Sequence, residues 1–288
     1  MGMTVEIQIQ EKEDFHFEEA LKILRTNIQF SGSNIKVIMF TSAVPGEGKS
    51  QITFSEAMSL AALGRRVLLI DADIRKSVLL NRYQVKQEVG GLSEYLSGQR
   101  RLDEVLCHTT IRNLDVIFAG PYSPNPSELL ADPIFARLLE EMREEYDYVL
   151  IDTPPMAGTT DGAIVARQCD GAIIVIESGA VSRRLAKRVK GQLEKSGCRI
   201  LGAVLNKVDM KSNSYYGKYY GKYYGKEESG DRKQQSRERT ERTAEAGRST
   251  GREKGYGYGK KESEKMVCSS EHDSCNSGSC IYAQSKFA

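Results

Sequence analysis

The chain has 288 residues, of which 40% are apolar, and a formal net charge of +2. That length accommodates one α/β domain of ordinary size plus extra sequence. The charge is too mild to imply nucleic acid, whose binders concentrate basic residues on one face. No apolar run approaches the ~20 residues needed to span a bilayer, and the opening MGMTVEIQIQEKEDF has no apolar h-region, so no signal peptide is read. A cytoplasmic protein is expected, held at a membrane only through a partner.

An N-terminal segment over 1–17 leads into an expected domain over 18–210. Residues 17–29 (FEEALKILRTNIQ) predict an amphipathic helix, with Leu21, Leu24 and Ile28 on one face. The apolar run 36–41 predicts a buried strand, followed by a glycine loop and a helix over 50–63 that Gly64 terminates. Buried strands are also expected at 67–70, 114–118, 148–151, 172–176 and 200–205, and helices at 133–145 and 182–195. Pro133 suits a first helical position. Strands rich in Val, Ile and Leu that alternate with helices define an α/β fold: a doubly wound, mainly parallel sheet with helices on both faces. Ligands of such sheets bind beyond the carboxyl ends of the strands.

The first of these strands runs into Ala43-Val44-Pro45-Gly46-Glu47-Gly48-Lys49-Ser50, a P-loop (Walker A) with Ala in place of the first Gly. Gly46 and Gly48 permit backbone angles that aim N–H groups at phosphate oxygens. The helix N-terminus adds its positive end. Lys49 neutralises the β- and γ-phosphates, and Ser50 offers a hydroxyl to Mg²⁺. Val44 through Gln51 therefore form the expected ATP cradle, and Asn206, which ends the sixth predicted strand, is added to the nucleotide set. A chance glycine turn is the competing reading, and a poor one between a buried strand and a helix.

The strand over 148–151 ends in Asp152, a Walker B carboxylate for the Mg²⁺ shell. The strand over 67–70 ends in Asp71-Ala72-Asp73-Ile74-Arg75. Carboxylates at i and i+2 of an extended end point to one side, so one can serve Mg²⁺ and the other can accept a proton from an attacking hydroxyl. Helix capping, or a local pair with Arg75, is the alternative.

These three elements, in this order and spacing, resemble the bacterial tyrosine kinases of capsule and exopolysaccharide synthesis. The family pattern P-G-E-G-K-S stands at 45–50, its additional Walker motif (A′) D-x-D-x-R at 71–75, and its third element ends at Asp152. The resemblance covers about 18–224 and implies an ATP- and Mg²⁺-dependent protein-tyrosine kinase. In it Asp71, Asp73, Lys49 and Arg75 are catalytic, and Ser50, Asp71 and Asp152 hold the metal. Partition and positioning ATPases of the MinD and ParA type share the fold but carry a signature Lys where this chain has Val44. A nucleotide-dependent interaction protein without kinase activity is the third reading.

Tyr215-Tyr216-Gly217-Lys218, Tyr219-Tyr220-Gly221-Lys222 and Tyr223-Tyr224-Gly225-Lys226 repeat with a period of four. Gly in every repeat opposes a stable helix. The segment 211–226 reads as an accessible arm offering six hydroxyls, and the resemblance makes it the phosphoacceptor cluster. Standing alone it would read as an adhesive low-complexity tract. Residues 227–288 are polar and mixed in charge, which predicts disorder. Tyr256, Tyr258 and Tyr282 are further possible acceptors. Cys268, Cys275 and Cys280, near His272, fit no tight zinc spacing and read as reduced thiols.

Glu19, Lys22 and Arg25 lie along one side of the first helix. They match the family's ring-interface pattern E-x-x-R-x-x-R except for Lys22, which cannot pair bidentately. A solvated face with an internal ion pair is the alternative. The resemblance implies a ring-shaped homo-oligomer, protein tyrosine substrates, a cognate tyrosine phosphatase and a separate transmembrane activator of the polysaccharide chain-length type, whose cytoplasmic tail completes the site.

Overall fold

The structure, a computed structural model, describes residues 3–9, 15–208 and 282–284. The tyrosine cluster over 211–226 and the cysteines at 268, 275 and 280 lie outside the described residues, as do most of the polar tail and the first two residues.

Nine strands form one sheet among the described residues. The strands at its centre are β2 (Val37–Ser42), β3 (Val67–Asp71), β6 (Tyr148–Asp152) and β7 (Gly171–Glu177). Their side chains are almost wholly buried, because helices cover both faces of a parallel sheet. Successive residues alternate between the two faces. Ile38 and Phe40 pack with Leu21, Leu24 and Ile28 of α1 (Phe15–Phe30) and with Ile52, Phe54 and Leu60 of α2 (Lys49–Ala62). Val37 and Met39 enter the opposite core. There they join Phe135, Leu138 and Met142 of α7 (Pro133–Glu145) and Val189 and Leu193 of α9 (Arg183–Ser196). Each fully buried side chain of this size stabilises the fold by roughly 1.5–3 kcal/mol.

The helix ends follow local chemistry. Pro133 opens α7, and Asp132 Oδ1 accepts a hydrogen bond from Ile134 N at 2.8 Å. Ser182 caps α9 in the same way through Leu185 N, and Gly197 ends it with a φ of 81°. The helices and strands read from the sequence are all present, with ends shifted by one or two residues, although the strand Ile200–Asn206 is mostly half-buried.

The sheet extends beyond the six expected strands. β4 (Leu106–Thr109) pairs antiparallel with β5 (Leu114–Ile117), and β1 (Met3–Val5) pairs parallel with β4. β8 (Ile200–Asn206) lies beside β7, and β9 (Tyr282–Gln284) pairs antiparallel with β8. The order is β1-β4-β5-β3-β6-β2-β7-β8-β9, and the pairings apart from β4–β5 and β8–β9 are parallel. Short helices fill the connections: α3 (Leu79–Arg82), α4 (Leu92–Leu96), α5 (Leu102–Val105), α6 (Pro126–Ala131) and α8 (Asp161–Ala166). Among the described residues no helix is long and apolar enough to cross a membrane.

This order places β3, β6 and β2 side by side. Asp71 is the register partner of Asp152, and Asp152 is also opposite Phe40, three residues before the P-loop. The three strand ends singled out in the sequence therefore share one edge.

Candidate active site

The P-loop connects β2 to α2. Gly46 and Gly48 have φ of 90° and 85°, a region open to glycine at little cost. At Gly48 a second constraint applies. A Cβ there would lie 2.1 Å from Asn206 Nδ2. Asn206, at the end of β8, donates from Nδ2 to the Glu47 carbonyl at 2.8 Å. Its Oδ1 is buried and has no hydrogen-bond partner among the described residues. A buried orphan acceptor against the P-loop fits an incoming donor such as the amino group of a nucleobase.

The Glu47 side chain is committed to the protein. Oε2 accepts from Val44 N at 2.7 Å and Oε1 from Glu177 N at 3.1 Å, which braces the loop against the end of β7. Any contact of Glu47 with nucleotide thus falls to its backbone. Lys207 Nζ adds a second brace, donating to the Gly46 carbonyl at 2.8 Å and lying 2.9 Å from Glu177 Oε2. Gln51 Oε1 accepts from Arg82 Nη1 at 3.5 Å. Pro45 lies within the same turn, between Val44 and Gly46.

Lys49 opens α2 and turns into the sheet edge. Its Nζ is 2.5 Å from Asp152 Oδ1 and 3.2 Å from Ser50 Oγ, and both members of the ion pair are buried. Asp71, also buried, accepts from Ser77 Oγ on Oδ2 and from Asp73 N at 3.1 Å on Oδ1. Burial, and then the neighbouring Asp152 carboxylate, push the Asp71 carboxyl up to about 7; Ser77 and Lys49 oppose that rise. Burial raises Asp73 too, with Lys49 opposing. Lys49 and Asp152 both act electrostatically on Asp71 and on Asp73, so the i, i+2 pair faces one cation. Asp71 and Asp73, raised by burial and by the nearby Asp152 charge, suit a divalent cation, which reverses that balance. Mg²⁺ commonly takes one or two carboxylates with substrate phosphates completing its shell. Asp71, Asp152 and the Ser50 hydroxyl supply such a set.

Arg75 points toward two residues that the sequence did not single out. Its guanidinium pairs with Asp161, at the start of α8, and with Ser127 in α6. No local signal marks Asp161, which lies 86 positions from Arg75.

The proposed interface residues stay within α1 and its neighbour. Lys22 Nζ pairs with Glu19 Oε1 at 2.6 Å. Arg25 Nη1 donates to the carbonyl and hydroxyl of Ser59 in α2, at 3.1 Å each.

A P-loop beside two carboxylate-bearing strand ends defines a P-loop nucleotide-dependent phosphotransferase or hydrolase. Residues 35–190 match the protein family described as an AAA domain. The chain is 41% identical over 206 residues to the tyrosine-protein kinase CpsD of Streptococcus agalactiae, covering 70% of this chain and 90% of that protein. It superposes on the kinase domain of the Escherichia coli tyrosine kinase ETK with a TM-score of 0.63 at 31% identity, over 70% of this chain and 88% of the other. The chain therefore belongs to the bacterial tyrosine kinases, and its enzyme class is protein-tyrosine kinase. The septum site-determining protein MinD of Pyrococcus horikoshii, solved with Mg-ADP, shares the fold alone, at 23% identity and a TM-score of 0.51 over 59% of this chain and 69% of its own.

Proposed function

We propose that this chain transfers a phosphoryl group from ATP to tyrosines of its own C-terminal cluster, Tyr215, Tyr216, Tyr219, Tyr220, Tyr223 and Tyr224. The observation that supports this most is the meeting of Lys49, Asp71, Asp73 and Asp152 at one sheet edge. Mg·ATP brings the transferable group and a divalent charge. The glycine turn and Lys49 bind phosphate oxygens. Asp71, Asp152 and Ser50 hold the metal. Asp73 is the proton acceptor for the tyrosine hydroxyl: a carboxyl raised by burial is a better base than an exposed one. The Asn206 amide faces the nucleoside end.

By membership of this family the kinase works as a ring-shaped homo-oligomer through Glu19, Lys22 and Arg25. It is driven by a separate membrane-spanning activator that holds it at the inner face of the membrane, and a tyrosine phosphatase reverses it. Each phosphotyrosine adds about −1.5 to −2 charge, which overturns the positive charge of Lys218, Lys222 and Lys226 and repels the arm from an acidic edge. Phosphorylation is thus a release signal, coupling the kinase cycle to polysaccharide synthesis and export.

A mixing experiment tests the acceptor and its route. A donor chain with all six cluster tyrosines changed to Phe is incubated with Mg·ATP and an acceptor carrying Lys49→Met. Phosphotyrosine is expected on the acceptor, because one copy serves another's tail. A wild-type chain that labels its own cluster while this pair gives no label would show transfer within one chain.

A further inference from the structure

The guanidinium of Arg75 is held by more bonds than a surface pair needs. Nε donates to Asp161 Oδ2 at 2.5 Å, and Nη2 donates to Asp161 Oδ1 and to Ser127 Oγ, each at 3.1 Å. Ser127 Oγ donates in turn to Asp161 Oδ1 at 2.5 Å. Asp161 is 0% exposed, whereas the Arg75 side chain is 37% exposed. Burial would raise the Asp161 carboxyl, but the hydrogen bonds from Arg75 and Ser127 outweigh it and hold the group below its usual range. It is therefore a fixed anion through the neutral range. Nη1 of Arg75 makes no hydrogen bond among the described residues.

The chain context gives this clamp a direction. Asp161 follows the segment after β6, which is itself bonded to the strand leading into the P-loop: Met156 N donates to the Ser42 carbonyl at 2.9 Å and Ala157 N to the Ala43 carbonyl at 3.1 Å. Arg75 belongs to the turn after β3, in which Lys76 N donates to Asp73 Oδ1 at 3.1 Å. The Arg75–Asp161 bridge thus ties the loop bearing the proton acceptor to the segment bonded alongside the phosphate-binding loop. Arg75 lies two residues beyond Asp73 in this turn, and Asp73 acts electrostatically on its guanidinium.

We propose that Asp161, assisted by Ser127, is a positioning residue for phosphoryl transfer: it fixes the Arg75 guanidinium with Nη1 available to the transferring group and sets Asp73 against the P-loop. This rests on the reading that Arg75 serves the transfer. A bidentate carboxylate fixes a guanidinium in plane and angle, which a single contact cannot do. Small misplacements at a phosphoryl-transfer site cost rate far more than binding.

The test uses the full chain with initial rates of tail phosphorylation, read across ATP concentration, alongside thermal unfolding. Asp161→Asn keeps the side chain's shape and removes its charge. It is expected to lower kcat by about 30- to 100-fold and to change the KM for ATP by less than about 3-fold. Ser127→Ala, at the rim of the clamp, is expected to lower kcat by about 3- to 10-fold with unfolding unchanged. Arg75→Ala is expected to lower kcat by about 100-fold, and the Arg75→Ala/Asp161→Asn double variant to be no slower than Arg75→Ala alone, because Asp161 acts through Arg75. A purely structural ion pair would instead lower unfolding temperature and leave kcat per folded enzyme unchanged. That result, or a double variant that loses the product of the two single effects, overturns the proposal. Should Asp161→Asn fail to fold, a wild-type kcat in Ser127→Ala would overturn it as well. Wild-type activity in Arg75→Ala would sink the reading of Arg75 itself, whereas an impaired Arg75→Ala beside a normal Asp161→Asn would sink only this inference.

Discussion

Lys49→Met is expected to abolish nucleotide binding and tyrosine phosphorylation together, with a rate loss of about 10³-fold or more. Lys49 is the P-loop's side-chain cation, and the structure shows what its charge balances. Its Nζ lies 2.5 Å from Asp152 Oδ1 and acts on both Asp71 and Asp73. Removing it leaves the buried Asp71 and Asp152 carboxylates, which are register partners, without the cation that balances them. Polyphosphate would then meet net negative charge instead of a neutralised cradle. The same change breaks a buried ion pair, which costs about 3–5 kcal/mol when one partner is left behind, so the variant should also unfold at lower temperature. Nucleotide titration and anti-phosphotyrosine blotting of the purified variant check this, with circular dichroism to confirm the fold. Persistent phosphotyrosine in the purified variant contradicts the assignment.

Asp73→Asn is expected to lower transfer by about 10²- to 10⁴-fold while nucleotide affinity stays close to wild type. Asp73 is only partly buried, its backbone carbonyl accepts from Lys76 N at 3.3 Å, and the amide oxygen of Asn can still accept the side-chain bond from that N–H, so the fold should survive. Asp71→Asn should also stop transfer but should stabilise the protein in the absence of Mg²⁺. The sign follows from linkage. With a folded value near 7 against 3.8 for the free group, the folded state binds the proton more tightly, so ionisation works against folding as pH rises from about 4 to about 7. A neutral amide removes that penalty. Rate measurements on both variants, with urea unfolding at pH 7 in a chelator, separate the two carboxylates. Normal labelling by both would make the paired-carboxylate argument wrong and helix capping the better account.

Much of this site was legible because phosphate chemistry is written locally. The P-loop pattern stands in six consecutive residues from Pro45 to Ser50, and Asp71 and Asp152 each close a run of Val, Ile and Leu that forms a buried strand, with Asp73 two residues beyond the first. The α/β order followed from the alternation of those runs with helices. The rest was hidden for physical reasons. β1, β4, α3 and α5 contain three or four residues each, too few for any periodicity to emerge, and their place is set by tertiary pairing. The role of Glu47 was hidden by its motif: the residue sits among phosphate-binding positions, yet its carboxylate serves the Val44 and Glu177 amides. The Arg75–Asp161–Ser127 clamp joins three segments whose sequence separation gives no cue. The Lys49–Asp152 pair could have been anticipated only from the strand order, since adjacency of β6 to both β2 and β3 is what brings them together.

The central claim is that this edge moves phosphate onto tyrosine. Phosphosite mapping by mass spectrometry, on the full purified chain after incubation with Mg·ATP and the cytoplasmic tail of a membrane activator, tests it most directly. The account predicts phosphate on tyrosines between 215 and 224 and none on a Lys49→Met sample treated alike. ATP hydrolysis without phosphotyrosine anywhere on the chain would contradict it and would place the protein with the hydrolysing P-loop ATPases instead.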